Sequence, residues 1–339
     1  MPVLAAYIDT QNVSILLYIS HEEYYLYNFP YVYSNDVFSA SYSESTFYQA
    51  VFDYFCKQHK LKLSDCDVVI SGFLEPPRLD FNLKYYISLF DLIRRVNGYF
   101  PILVNNYSIF TQQGFYCWDA VKGALSSEEM MDSEEVNFYS NTELYPQLVA
   151  TDLSTQSDID RNILGLLGSA HLRIPDNQPL IFGGSRFTQI NMVPELDYMM
   201  ILNLIQQEGV FDIRIDRNNS AILFALLNLY DSNINMEPTP ELEGTVISTF
   251  TGLECMVKSE VGTSQVVQLD KNRIFVLPVG LNERPAIMLK SPNIDTLEKR
   301  VSGGRMGIIF DTRENKGRQI DDFRVFNSGI KSFSNALGI

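Results

Sequence analysis

Three histidines, four cysteines and one dense acidic stretch are the side chains in this sequence whose chemistry could support catalysis or metal binding. His21, His59 and His171 would serve as metal ligands or general bases only with a partner at suitable spacing. No two of them have metal-ligand spacing, and none adjoins a nucleophile motif, so they read as surface or hydrogen-bonded histidines. Cys56, Cys66, Cys117 and Cys255 form no C-x-x-C pair and read as reduced core thiols. Glu128, Glu129, Asp132, Glu134 and Glu135 read as a solvated loop or helix face, because a cation site needs ligands that converge in space. Gly303-Gly304-x-x-Gly307 precedes a strand-like run, whereas a dinucleotide fingerprint follows a strand and opens a helix. Its glycines are read as permitting a tight turn or positive φ. These residues therefore predict no catalytic group and no metal site.

Charge narrows the partners. The 339 residues carry a formal charge of −15, which repels phosphate backbones and anionic lipid. The basic clusters, Arg94-Arg95 and Arg313 through Arg318, are too short to overcome that field, so no nucleic-acid partner is expected. No Lys or Arg precedes Lys57, and no apolar run approaches the roughly 20 residues needed to span a bilayer. The chain reads as cytoplasmic, with no integral membrane span.

The elements that would carry any site begin with a strand-rich meander. Val3 to Asp9, Val13 to Ser20 and Tyr24 to Tyr33 suit three adjacent strands. The first 56 residues hold ten tyrosines, among them Tyr24, Tyr25, Tyr27 and Tyr54. A helix is predicted over Ser45 to His59 with Phe47, Val51, Tyr54 and Phe55 on one face. A buried strand over Asp67 to Gly72, a helix over Asn82 to Val96 and a strand over Pro101 to Asn105 extend a β/α alternation, with Pro76-Pro77 forbidding regular structure after the first. Phe115 to Trp118 is an apolar patch that either anchors a connection to the core or touches a partner.

Order returns with a helix from Ser157 to about Ser169, a strand over Pro179 to Phe182 and the turn Gly183-Gly184-Ser185, which on its own reads as a tight strand-to-helix turn. A helix from Pro194 past Leu204, a strand over Val210 to Asp216 and an all-apolar, buried helix over Ala221 to Leu229 follow. Past the Pro- and Glu-containing linker Met236 to Glu243, six short strand-like segments separated by Gly, Asn or Pro predict a β-rich unit.

The tail carries a resemblance. Gly244 to Ser248, Val276 to Gly280 and Gly303 to Arg313 resemble the carboxy-terminal region of the MutL-type proteins associated with glutamate mutase, a family similar to the actin-like ATPases. Glu208 to Arg217 also looks like that family, so the similarity covers roughly residues 179 to 318. It implies a degenerate actin-like (ribonuclease H-like) α/β fold, with ATP and magnesium bound between two halves. Asp9-Thr10-Gln11-Asn12 would then correspond to the first phosphate loop and Gly183-Gly184 to the adenosine loop. Such loops need glycine so that main-chain N–H groups approach phosphate while the Asp holds hydrated magnesium. Thr10-Gln11-Asn12 offers no glycine, and residues 105 to 157 contain no Asp-x-Gly triplet for the second loop.

The expectation is therefore an actin-like α/β region over 1–235, with halves near 1–110 and 150–235, then a β-rich domain over 241–320 and a tail over 321–339. Its expected role is a non-catalytic scaffold that binds other proteins and has lost ATP hydrolysis, with no cofactor. The alternative is an ATP-dependent chaperone or reactivating factor, or an FtsA/PilM-like assembly adaptor, with Asp9, Gly183 and Gly184 binding ATP.

Overall fold

The structure is a computed structural model and describes residues 1–9, 12–30, 44–72, 83–105, 108–117, 172–175, 178–188, 194–260, 262–291 and 294–314. Five strands make the first sheet: β1 (Val3–Ile8), β2 (Asn12–Tyr18), β3 (Tyr24–Pro30), β4 (Asp67–Gly72) and β5 (Leu83–Ser88), in the order β3-β2-β1-β4-β5. The first three pair antiparallel, as the predicted meander requires. β4 lies parallel to β1, and β5 parallel to β4. The helix α1 (Glu44–Gln58) supplies the crossover that a parallel return needs.

The second sheet repeats this plan. Its first strands are β6 (Phe100–Asn105), β7 (Ser108–Thr111), β8 (Gly114–Cys117), β9 (Leu180–Gly183) and β10 (Gly209–Ile215). β6, β7 and β8 form another antiparallel meander, and β9 and β10 follow parallel on the other side of β6. Two units with the same order of three antiparallel and two parallel strands make a mixed α/β fold of the ribonuclease H-like, actin-like kind expected.

Alternation within the strands decides which layer meets which. Leu4, Ala6, Ile15 and Ile70 face α1, whose Tyr48, Phe52, Phe55 and Cys56 complete that core. The helix face is rotated from the predicted one, because Tyr54 is 56% exposed and Phe47 and Val51 are only partly buried. On the opposite face, Val3, Ala5, Tyr7 and Val69 share a core with α5 (Ser220–Tyr230) and with Leu103 and Ile181 of the second sheet. Helix α5 is thus packed between the two sheets, which is why it is apolar all round: Ala221, Ile222, Leu223, Phe224, Leu226 and Leu227 are buried. Each fully buried Leu or Ile contributes about 1.5–3 kcal/mol. The far face of the second sheet is covered by α4 (Pro194–Leu204), which follows the short α3 (Ser185–Thr188).

The helix expected over Asn82 to Val96 is instead β5 followed by the short α2 (Leu89–Ile93). A register shift opposite Val68 and Val69 bulges the strand, so Leu83 and Tyr86 join one core while Tyr85 and Ile87 join the other. Tyr85, Tyr86 and Ile87 are strand formers, and Ser88 caps α2 by accepting from the Asp91 N–H at 3.2 Å.

The tail is all strand among its described residues: β11 (Glu241–Ser248), β12 (Leu253–Lys258), β13 (Ser264–Leu269), β14 (Ile274–Leu277), β15 (Ala286–Ser291), β16 (Ile294–Arg300) and β17 (Gly307–Asp311). Strand β16 was missed in the sequence, as were β7 and β8. β12, β13, β15 and β16 form a third sheet, whereas β11, β17 and β14 continue the second sheet beyond β10. The β10 and β11 ladder runs from Gly209 opposite Ser248 to Ile215 opposite Glu241. The cut expected between residues 235 and 241 thus falls between two hydrogen-bonded neighbours of one sheet. The third sheet packs on that extension through Cys255, Ile287, Leu289, Ile308 and Phe310.

The helix expected from Ser157 to Ser169, the acidic stretch 128–135, Pro76-Pro77, Trp118, His171 and the tail 321–339 lie outside the described residues, as do Thr10 and Gln11. No helix among the described residues is long and apolar enough to cross a membrane.

Candidate functional site

Because β1 and β6 are the equivalent first strands of the two units, their ends and the end of β9 bring equivalent turns together. Asp9 follows β1, Asn105 ends β6, and Gly183-Gly184-Ser185 joins β9 to α3. Asp9, Gly183 and Gly184, distant in sequence, are thereby assembled into one place.

Side-chain oxygens take up the main-chain donors of that turn. The Ser185 N–H donates to Asp9 Oδ2 at 3.3 Å and to Asn105 Oδ1 at 3.4 Å, and the Gly184 N–H donates to Asn219 Oδ1 at 2.7 Å. Asn219 Nδ2 donates to Ser14 Oγ at 2.9 Å, while Asn12 Nδ2 reaches Ser14 Oγ at 3.2 Å and Thr188 Oγ1 at 3.0 Å. Asp9, Asn12, Ser14, Asn105, Ser185 and Asn219 are all buried. The Tyr7 hydroxyl lies 3.5 Å from Asp9 Oδ2, and burial first, then the Asp9 charge, pushes its pKa well up. Tyr7 therefore stays a neutral donor at physiological pH.

Asn219 is the residue that sequence reasoning missed. It sits at the N-cap of α5 with φ 53°, a left-handed conformation that Asn tolerates better than most residues. Its side chain is thereby free to bridge the Gly184 turn and β2. Asp216 caps the helix in its place, accepting from the Ala221 N–H at 2.7 Å and the Ser220 hydroxyl at 2.9 Å. Burial is the leading effect on Asp216 and raises its pKa. An Asp-x-x-Asn-Ser run before an apolar helix is a cap signature; that the Asn would point at a turn 35 positions away is not local information.

Gly184 has a packing reason of its own. Its φ is +97°, and a Cβ there would meet the Val104 carbonyl oxygen at 2.5 Å and Asn105 Oδ1 at 2.8 Å. The turn is pressed against β6, which supports the strand-to-helix reading of the Gly pair. A phosphate seated here would have to displace acceptors from both N–H groups and would meet the Asp9 carboxylate.

The glycines of the tail motif meet a second polar cluster. Glu243 is fully buried in β11. Its carboxylate accepts from Tyr198 at 3.2 Å and pairs with Arg217 at 3.3 Å and, more loosely, Arg305 at 4.0 Å. Burial outweighs the two arginines and pushes the Glu243 carboxyl up. Gly304 has φ +66°, and a Cβ on it would lie 2.5 Å from the Glu243 carbonyl. That glycine lets the loop before β17 close over Glu243. The Asp311-Thr312-Arg313 end of the motif is likewise structural: the Arg313 guanidinium grips Asp311 with two bonds of 3.0 and 2.9 Å and donates to Asn203 at 2.9 Å. No cluster of three or more His, Cys, Asp or Glu side chains able to hold a metal ion occurs among the described residues.

The chain matches no protein-family model and no curated protein. Among solved structures, the ethanolamine utilization protein EutJ from Carboxydothermus hydrogenoformans is similar, with a TM-score of 0.35 and 9% identity over 68% of this chain and 90% of that one.

Proposed function

We infer that the chain is a non-catalytic, cytoplasmic actin-like scaffold that binds other proteins and has lost ATP hydrolysis. The observation that carries this reading is the engagement of the Gly184 and Ser185 N–H groups by Asn219, Asp9 and Asn105. Phosphoryl transfer needs such donors free and preorganised toward the phosphate. With the chain's own oxygens on them, the cleft acts as a joint between the two units. For the binding surface, β3 offers Tyr24, Tyr25 and Tyr27 at 38%, 36% and 53% exposure, with Tyr54 of α1 nearby through Phe29. Tyrosine suits protein contacts because it combines a large apolar ring with a hydrogen-bonding hydroxyl.

The second reading, an ATP-dependent chaperone or reactivating factor or an FtsA/PilM-like adaptor, is favoured by one fact: Asp9 does stand against the Gly183-Gly184 turn. Calorimetric titration of the full chain with ATP and magnesium separates the two. The scaffold reading expects no saturable heat. Micromolar binding that Asp9→Asn abolishes, in a variant that still folds, would replace it with the second reading.

A further inference from the structure

Cys56 and Cys66 are not isolated core thiols. Cys56 lies in the last turn of α1 and Cys66 just before β4, and their sulfurs are 4.0 Å apart. Cys56 is fully buried and does not line the cavity that its partner meets. Cys66, 7% exposed, lines an open cavity of about 810 Å³ between α1 and the β4–β5 edge. Lys57, Lys62 and Lys84 border the same cavity, with Asp53 and Asp67 as its acids. Three lysines against two aspartates make a local excess of positive charge at the cavity of a chain of net charge −15, while the charges acting on the Cys66 thiol itself are Asp65 and Asp67, which oppose its ionisation.

We propose that this cavity is a thiol–disulfide exchange site for small anionic disulfides, with Cys66 the attacking sulfur and Cys56 the resolving one. The Cys66 thiolate attacks one sulfur of the disulfide RSSR. A Cys66–SR bond forms, the S–S bond of RSSR breaks, and RS⁻ leaves with the bonding pair. Cys56 then loses its proton and attacks the Cys66 sulfur, forming the Cys56–Cys66 bond and expelling the second RS⁻. The two protein thiols give up two electrons and one RSSR becomes two thiols, so the small disulfide is the whole oxidant. The sulfurs must approach from 4.0 Å to the roughly 2.05 Å of a disulfide. That shift involves the last turn of a helix and the residue before a strand rather than the middle of either. At rest the Cys66 sulfur also lies 3.6 Å from the Lys62 carbonyl oxygen, a contact that its thiol proton makes and its thiolate gives up.

The division of roles follows from position. The thiol that meets the cavity is the one that a hydrogen bond from its neighbour helps to ionise: the contact with Cys56 is the leading effect holding Cys66 below the usual thiol value, and the same contact, then burial, drives Cys56 up. Cys255, buried in the third sheet and pushed up to about 12 by burial, has no partner cysteine among the described residues and is expected to stay reduced.

The test uses the reduced full chain and oxidised glutathione, followed by intact mass and peptide mapping while circular dichroism confirms that the fold persists. The wild type is expected to pass through a glutathione adduct on Cys66 to a Cys56–Cys66 disulfide, with Cys255 unmodified; Cys56→Ser should stop at the adduct. The wild-type time course alone carries the test if that variant does not fold. Replacing Lys57, Lys62 and Lys84 by Gln should slow oxidised glutathione by about fivefold or more while leaving the neutral 2-hydroxyethyl disulfide within about twofold. Cys66 remaining reduced in the folded chain, or pairing with any other cysteine, overturns the site. Equal slowing of the anionic and neutral disulfides overturns the preference for anions.

Discussion

The backbone N–H of Ser185 donates to the carboxylate of Asp9 across 176 positions of sequence, at 3.3 Å, with Asp9 only 5% exposed. That bond ties the end of β1 to the start of α3 and places a negative charge at the turn where a nucleotide phosphate would otherwise be sought. Around it, Asn12, Asn105 and Asn219 supply neutral amides, so the joint between the two units is a buried polar network in which the main-chain donors are taken up while the Ser185 hydroxyl has no partner among the described residues.

Asn219 should matter to stability in two separable ways. Asn219→Gly keeps the left-handed backbone but strips the acceptor from the buried Gly184 N–H and the donor from Ser14, at a cost of about 2 kcal/mol. Asn219→Ala loses the same bonds and adds backbone strain of about 1 kcal/mol at φ 53°. Urea denaturation should rank wild type above Gly above Ala. Equal stability of all three would show that the network contributes nothing.

A paired glycine comparison tests whether the Gly184 turn is held by packing. Gly184→Ala places a Cβ 2.5 Å from the Val104 oxygen and should cost about 3 kcal/mol or more. Gly262→Ala has a similar φ of +88° but nothing within 4 Å, so it should cost about 1 kcal/mol. Thermal melts of the two variants should differ clearly, and coincident melts would refute the close approach of the turn to β6.

Glu243 gives a pH dependence of known sign. Burial raises its folded pKa above the ordinary value near 4.5, so the folded state binds the proton more tightly than the unfolded chain. Its contribution is fully present below that ordinary value and is lost as pH rises through the folded pKa. Glu243→Gln, which mimics the protonated acid, should therefore gain stability relative to wild type as pH rises above about 4.5. Denaturant midpoints at three pH values check this. A relative loss over the same window would mean that the pairing with Arg217 and Arg305 outweighs burial.

A chain ending at residue 240 should fail to melt cooperatively. It removes β11 from the side of β10 and strips Val246, Val276 and Ile309 from the core beneath α4. Far-UV circular dichroism on heating is the measurement. A sharp transition would restore the separable β-rich domain that the linker composition suggests.

What the sequence determined by itself is local. β1, β2, β4, α4 and α5 were legible because their side-chain periodicity and flanking breakers specify an element whatever surrounds it; the all-apolar Ala221 to Leu229 even announced its burial between layers. Segment 82–96 was not legible, since Leu83 to Ser88 satisfies a helical pattern as well as a strand and only an open edge beside β4 chooses between them. The tail's strands were visible, but the choice of neighbours was not: β11 pairs with β10 and β17, while β12 turns away into another sheet. Hydrogen-bonded strand pairing is decided by which edges remain free once the rest has collapsed, and adjacent residues do not record that. The site divides in the same way. Asp9 and Gly183-Gly184 stood out by type, but their meeting, and the part played by Asn105 and Asn219, arises only because two units of equal topology set the ends of their first strands side by side. The Cys56 and Cys66 pair was unreadable for the same reason: ten positions of sequence became 4.0 Å only when α1 docked against the sheet that β4 enters.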